Sequence, residues 1–114
     1  MEETVLIERL KNAKTQEHAF RDLVDLYKKK LYWHIRKIVI VHDDADDVLQ
    51  NTFLKVFKGI QHFKGDSKIY SWMYRIATNE AINFLNQKAR MMSTSLEEIQ
   101  YKLVEKLPED PYFD

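Results

Sequence analysis

The chain of 114 residues has no cysteine, only two glycines and two prolines, and no net charge. Without cysteine, disulfides, thiol nucleophiles and cysteine-ligated zinc are excluded together, and a reducing compartment is compatible with the composition. So few glycines and prolines leave little turn chemistry for a β fold, whereas Leu, Lys, Glu and Ala are spread throughout. The expected fold class is therefore all-α. No stretch approaches the roughly 18 apolar residues of a membrane span, and the N-terminus opens on Glu2 and Glu3 instead of a basic patch before an apolar run. Neither membrane insertion nor export is expected, which leaves the cytoplasm. Length points to one domain, and 45% apolar content suffices for one compact core.

Neutrality on average conceals a gradient. Residues 91–114 hold two basic against six acidic side chains, a net of −4, while residues 1–90 carry +4. Within the latter, residues 48–90 reach +5 and read as the one clear basic segment.

Hydrophobic spacing predicts four helices. A short amphipathic stretch runs from Thr4 to Lys11. Thr15 then offers a cap to a long helix whose apolar stripe, Phe20, Val24, Tyr27, Leu31, Ile35 and Ile38, reads as core. His42 to Asp44 breaks this pattern, and Asp43 or Asp44 can cap a third helix reaching about Phe57. Gly59 and Gly65 bracket a polar connection. Asp66 or Ser67 can cap a fourth helix, to about Arg90, with Ile69, Met73, Ile76, Ala77 and Phe84 on its core stripe. The expectation is a bundle over residues 1–90 and an acidic linker over 91–114, where Ser95 with Glu98 can cap a short helix carrying Leu96, Ile99, Leu103 and Leu107.

On the third helix, Ala45, Val48, Leu49, Thr52, Phe53, Val56 and Ile60 share one arc. Asp47, Gln50, Asn51, Leu54 and Lys58 share the opposite one, with Phe57 at the boundary. An apolar Leu54 among short polar side chains is either a stray surface leucine or the centre of a docking patch. The acids near His42 invite a metal reading, but an EF-hand needs glycine at its sixth position, and counting from Asp44 that residue is Leu49. Helix capping explains them without an ion. The other histidines have no nucleophile or carboxylate at motif spacing, so neither catalysis nor a cofactor is expected.

The fourth helix carries Lys68, Ser71, Arg75, Asn79, Asn83, Asn86 and Arg90 at steps of three or four. Asparagine lowers helix propensity, but its amide presents donor and acceptor together, and arginine offers a planar fork to phosphates or base edges. Immediately upstream, Phe63, Lys64, Gly65, Asp66 and Ser67 combine an aromatic ring, a cation and a flexible glycine beside free helix N–H groups. Such a loop can hold an unstacked base, or its ring can plug the core beneath the turn. Trp72 is assigned to packing and Tyr70 to a nucleic-acid contact.

Three motifs in order, DADDVLQNTFLKVFK at 44–58, FKGDS at 63–67 and SWMYRIATNEAINFL at 71–85, resemble region 2 of the extracytoplasmic-function sigma factors. The resemblance covers about residues 15–90. It implies that the third helix docks on the coiled-coil clamp helices of the polymerase beta-prime subunit through Asp47, Gln50, Asn51, Leu54 and Phe57. It also implies that the loop and fourth helix capture a base flipped from the non-template strand of the minus-ten element, through Lys64, Asp66, Ser67, Arg75, Asn79 and Asn83. An inhibitory anti-sigma factor is a further implied partner. The family usually has glutamate where this chain has Asn51, which weakens the charge of that contact. It also carries a second helix-turn-helix domain, so this chain is expected to be cut from a longer protein. A helical adapter that binds a partner helix and never touches DNA is the alternative these residues leave open.

Overall fold

The computed structural model describes residues 2–92 together with residues 95, 97, 98 and 111. Four helices follow one another: α1 (Glu3–Lys11), α2 (Gln16–Val39), α3 (His42–Gly59) and α4 (Ile69–Met91). A 3-10 turn, Ile60–His62, extends α3 toward the loop. The all-α bundle of four helices is as expected, and no helix among the described residues is long and apolar enough to cross a membrane.

Contacts fix the topology. α2 and α3 are antiparallel: Phe20 meets Phe57 at one end and Tyr32 meets His42 at the other. α3 and α4 are antiparallel too, tied by Asp44 to Lys88 and Lys55 to Glu80, both at 2.9 Å. α2 and α4 consequently run in the same direction, with Lys30 beside Tyr70 and His34 beside Tyr74. α1 lies across the end of this trio, anchored by buried Leu6 and Leu10 and by the Arg9–Asp22 ion pair at 3.0 Å.

The core lies slightly off the stripe expected for α2. Leu31 and Ile35 are buried, joined by Ala19, Leu23 and Val39, whereas Phe20, Val24, Tyr27 and Ile38 are only partly buried at its edges. On α3, the expected arc is buried apart from half-exposed Leu49. Among the described residues Thr52 is the one polar side chain fully inside, and its hydroxyl donates to the Val48 carbonyl at 2.7 Å, which offsets the cost of burying it. On α4, Ile69, Met73, Ala77, Ala81, Leu85 and Ala89 are buried, with Ile76 and Phe84 flanking them.

The expected caps do not form. The Thr15 hydroxyl donates to the Arg9 carbonyl at 2.8 Å, closing the end of α1 instead of opening α2. α3 begins one residue before the aspartates, with Val41 at its N-cap, so Asp43 and Asp44 sit within the first turn and act through the helix dipole. The turn before it places Ile40 at φ 73 and ψ −41, the strained centre of a γ-turn closed by the Val41 N–H donating to the Val39 carbonyl at 2.8 Å. Arg36 offsets that strain: its backbone carbonyl accepts the Ile40 N–H at 2.8 Å, and its Nε donates to the Ile40 carbonyl at 2.6 Å. At α4, Lys68 holds the N-cap position without a side-chain bond, and neither Asp66 nor Ser67 caps the helix. The Ile69 N–H instead donates to the carboxylate of Glu3, 66 residues away, at 3.1 Å.

The helical boundary expected near residue 90 falls at Met91. Beyond it, the Glu98 N–H donates to Ser95 Oγ at 3.2 Å, the contact a Ser95 cap requires. Leu96, Ile99, Leu103 and Leu107 lie outside the described residues.

Because a carboxylate on α1 caps α4, Glu3→Ala is expected to lower stability by about 1 kcal/mol, seen as an earlier urea midpoint at unchanged slope. An unchanged midpoint would show that the cap contributes nothing. The phenol of Tyr27 gives a second readout, since burial first and the Glu3 charge second raise its pKa above the ordinary tyrosine value. Its stabilising effect is full below about pH 10 and is lost as pH rises through the folded value. Glu3→Ala should therefore also lower the pH at which Tyr27 ionises.

Candidate functional site

Two adjoining surfaces gather the residues singled out from sequence. The first is the ridge of α3. Leu54 is 57% exposed and Phe57 40% exposed, and Asp47, Gln50 and Asn51 are exposed as well. Gln50, Leu54 and Phe57 line one side of an apolar groove of about 470 Å³, whose other wall is Phe20, Val24 and Lys28 of α2. Edge-to-face contacts hold the groove open, with Phe20 at 5.1 Å from Phe57 and 6.2 Å from Phe53. Asn51 is not on this side. It lines a polar hollow between α3 and α4 with Lys55, Glu80 and Asn83, so the five residues straddle the ridge.

The α2 wall was missed in the sequence because Phe20 and Val24 repeat with the core stripe. Periodicity identifies an apolar face but does not separate its buried centre from an accessible margin.

The second surface begins at the loop. Phe63 is 4% exposed and its ring lies 5.0 Å from Trp72, so it plugs the core. Trp72 packs as expected, so close to Gly59 that a Cβ there would meet its ring at 3.3 Å. Lys64, Gly65 and Asp66 are exposed, Ser67 is half-buried, and the Lys11 ammonium donates to the Phe63 carbonyl. Between α1 and the loop lies a hollow of about 310 Å³, with Glu3, Ile7, Glu8 and Lys11 on one wall and Phe63, Lys64, Gly65 and Ser67 on the other. It presents cations, carboxylates and an apolar side chain together, the chemistry needed to hold a flat polar ring. α1 was not read as part of this site, and only its charged side chains at helical spacing hinted at it.

Along α4, Lys68, Ser71, Arg75, Asn79 and Asn83 are all exposed, continuing through Asn86 and Arg90. Arg75 reaches back to Ser67, donating from Nη2 to Oγ at 3.4 Å, and so connects the strip to the loop. Tyr70 departs from the strip. It is half-buried on the flank facing α2, its ring 5.2 Å from Tyr27 and its face under the Lys30 ammonium at 4.7 Å. Among the described residues no group of three or more His, Asp or Glu side chains could hold a metal ion.

The Sigma-70 region 2 family model matches residues 23–91. The ECF RNA polymerase sigma-E factor of Escherichia coli (strain K12) is 31% identical over 136 positions, covering 93% of this chain and 70% of that protein. Those of Salmonella typhi and Haemophilus influenzae are 31% and 30% identical, with 93% and 92% of this chain and 70% of each relative covered.

The loop itself can be tested apart from any ligand. Gly65 sits at φ +78 with nothing within 4 Å of an added Cβ, so Gly65→Ala meets a backbone penalty and no clash. A loss of about 1 kcal/mol is expected by chemical denaturation. No loss would mean that the loop adopts another conformation.

Proposed function

The chain belongs to the extracytoplasmic-function sigma factors and carries their region 2, and we propose that it grips RNA polymerase and promoter DNA through two separate faces of one bundle. As a sigma factor it acts in transcription initiation, binding core polymerase and promoter DNA, and its family is not catalytic. Its working place is then the cytoplasm, with the polymerase.

The α3 ridge is the polymerase face. Leu54 and Phe57 supply apolar area, the groove beside them accepts an apolar residue of a partner helix, and Asp47, Gln50 and Asn51 give directional polar contacts. The partner is the beta-prime clamp coiled coil. An anti-sigma factor covering the groove would exclude it.

The loop and α4 form the DNA face. A base unstacked from the non-template strand of the minus-ten element enters the hollow between α1 and the loop, contacted by Lys64, Asp66 and Ser67, while Lys68, Ser71, Arg75, Asn79 and Asn83 read or hold its neighbours. Tyr70 supports this face from beneath. Melting needs no covalent step, because a protein that holds the open strand better than the duplex shifts the equilibrium toward opening. The observation that carries the reading is the outward aim of both sets: Leu54 stands in solvent on α3, and Asn79 and Asn83 do so on α4.

Leu54→Asp is expected to weaken binding to core polymerase by about 30-fold, the scale of a central interface residue, and to leave oligonucleotide binding by the free chain intact. Asn79→Ala should reduce discrimination between the minus-ten strand and a scrambled strand by about tenfold. Equal loss on both strands would rule out direct base reading. If Leu54→Asp abolished every partner contact while Arg75, Asn79 and Asn83 variants were silent, a protein-binding adapter would be the better description.

A further inference from the structure

Charge around the hollow between α1 and the loop is balanced: Glu3 and Glu8 line it, and so do Lys11 and Lys64. A phosphate gains little in such a space, because each cation there is matched by a carboxylate. An uncharged, partly apolar ring suits it better, with Ile7 on the α1 wall. Two of the four charges are spent on the fold. The Glu3 carboxylate accepts the Ile69 N–H at 3.1 Å, and the Lys11 ammonium donates to the Phe63 carbonyl. Glu8 and Lys64 are exposed, face one another from the two walls, and make no hydrogen bond or ion pair among the described residues. The hydroxyls of Thr4 and Ser67 also line the hollow, but a hydroxyl both donates and accepts and so makes no choice between ligands.

The backbone that carries Glu8 is tied down on both sides of it. Glu3 before it and Lys11 after it are the two α1 side chains bonded to the start of α4 and to the loop. Buried Leu6 and Leu10, with the Arg9–Asp22 ion pair at 3.0 Å, fix how α1 is rotated about its axis. The two walls therefore keep their spacing before anything enters, and an acceptor and a donor stand ready at a set separation, so little ordering entropy is lost when a ring is gripped between them.

We propose that Glu8 selects the base that enters the hollow, accepting from an exocyclic amine while Lys64 donates to an acceptor on the same edge, so that thymine is rejected. The proposal rests on the base capture described above and makes α1 its specifying wall. A carboxylate accepts and does not donate, and an ammonium donates and does not accept. Cytosine, adenine and guanine each carry an amine together with an acceptor and satisfy both walls. Thymine has a carbonyl oxygen on either side of its one N–H. A thymine carbonyl turned to Lys64 leaves the other against Glu8, and a thymine that offers its N–H to Glu8 brings an oxygen against the carboxylate on each side. Every base offers Lys64 an acceptor, so the choice falls to Glu8.

The test is a titration of the full 114-residue chain, free and bound to core polymerase, with labelled minus-ten single strands in which each position in turn is cytosine, adenine, guanine or thymine. At one position the parent chain is expected to bind the three amine-bearing bases about tenfold more tightly than thymine. Glu8→Gln, whose amide can turn its NH2 toward a carbonyl, should abolish that preference by raising affinity for the thymine strand about tenfold, with the other three strands within about twofold of the parent. Its urea midpoint should not move, since Glu8 bonds nothing in the fold. Glu8→Asp, which keeps the charge, should keep the sign of the preference. A gain of the same size on every strand would show that Glu8 only repels phosphates, and an equal loss on every strand that it only supports the fold; either result overturns the proposal, as does a parent chain with no preference against thymine at any position. If Glu8→Gln is silent while Asn79→Ala still loses discrimination, Glu8 is excluded and the DNA face of α4 stands. A parent chain that binds no single strand even with polymerase would overturn both.

Discussion

The step of four along α4 sets the geometry of everything around it. Ile69, Met73, Ala77, Ala81, Leu85 and Ala89 are all buried, and Ser71, Arg75, Asn79 and Asn83 are all exposed at the same interval. Four residues advance about 40° beyond a full turn, so both stripes wind around the helix together and stay opposed. The buried face turns gradually past its neighbours while the polar strip remains outward. Three of the six core positions are alanine, which lets α2 and α3 approach closely without a bulky side chain to displace α4. Residues suited to nucleic acid are exposed because their opposite numbers are held, and the helix propensity given up by asparagine is offset by that grip.

Local pattern revealed this much and little about what ties the elements to one another. The buried arc of α3 and the solitary Leu54 follow from one helical wheel, since both depend only on residues within a few turns. The caps did not follow. Thr15, Asp43, Asp44, Asp66 and Ser67 carry the right chemistry next to the right helices, yet α4 is capped by Glu3 from the far end of the chain and Thr15 closes the preceding helix. Satisfying a helix terminus is obligatory, but its partner can come from anywhere that folding brings near. The same reason hid α1 as a wall of the loop hollow.

Strain at the α2–α3 corner has a structural consequence. Ile40 is buried at the centre of a strained γ-turn, and Arg36 binds both its N–H and its carbonyl. Arg36 also donates to the Tyr32 hydroxyl, which meets His42 Nδ1 at 2.6 Å on the next helix. The first turn of α3 is thus fixed against the last turns of α2, while the Phe20–Phe57 contact fixes the opposite ends of the same helices. A groove clamped at both ends keeps its width, so the partner helix proposed above would meet a formed surface and lose little ordering entropy on docking.

Charge is partitioned as strictly as shape. The α2–α3 groove is apolar with Lys28 and Gln50 at its margin, residues 48–90 carry a net positive charge, and a zero total conceals both. So few cations give a weak hold on DNA at physiological salt, because each phosphate contact loses affinity as counterions become abundant. Weakness in the free chain suits the proposed role, in which DNA is opened only where polymerase stands. If Leu54 and its neighbours anchor the bundle as proposed, the strand is presented at a high effective concentration, and contacts too weak to act alone become sufficient. In the proposed reading the polymerase contact determines where DNA is held, and the outward asparagines of α4 determine which strand is held there.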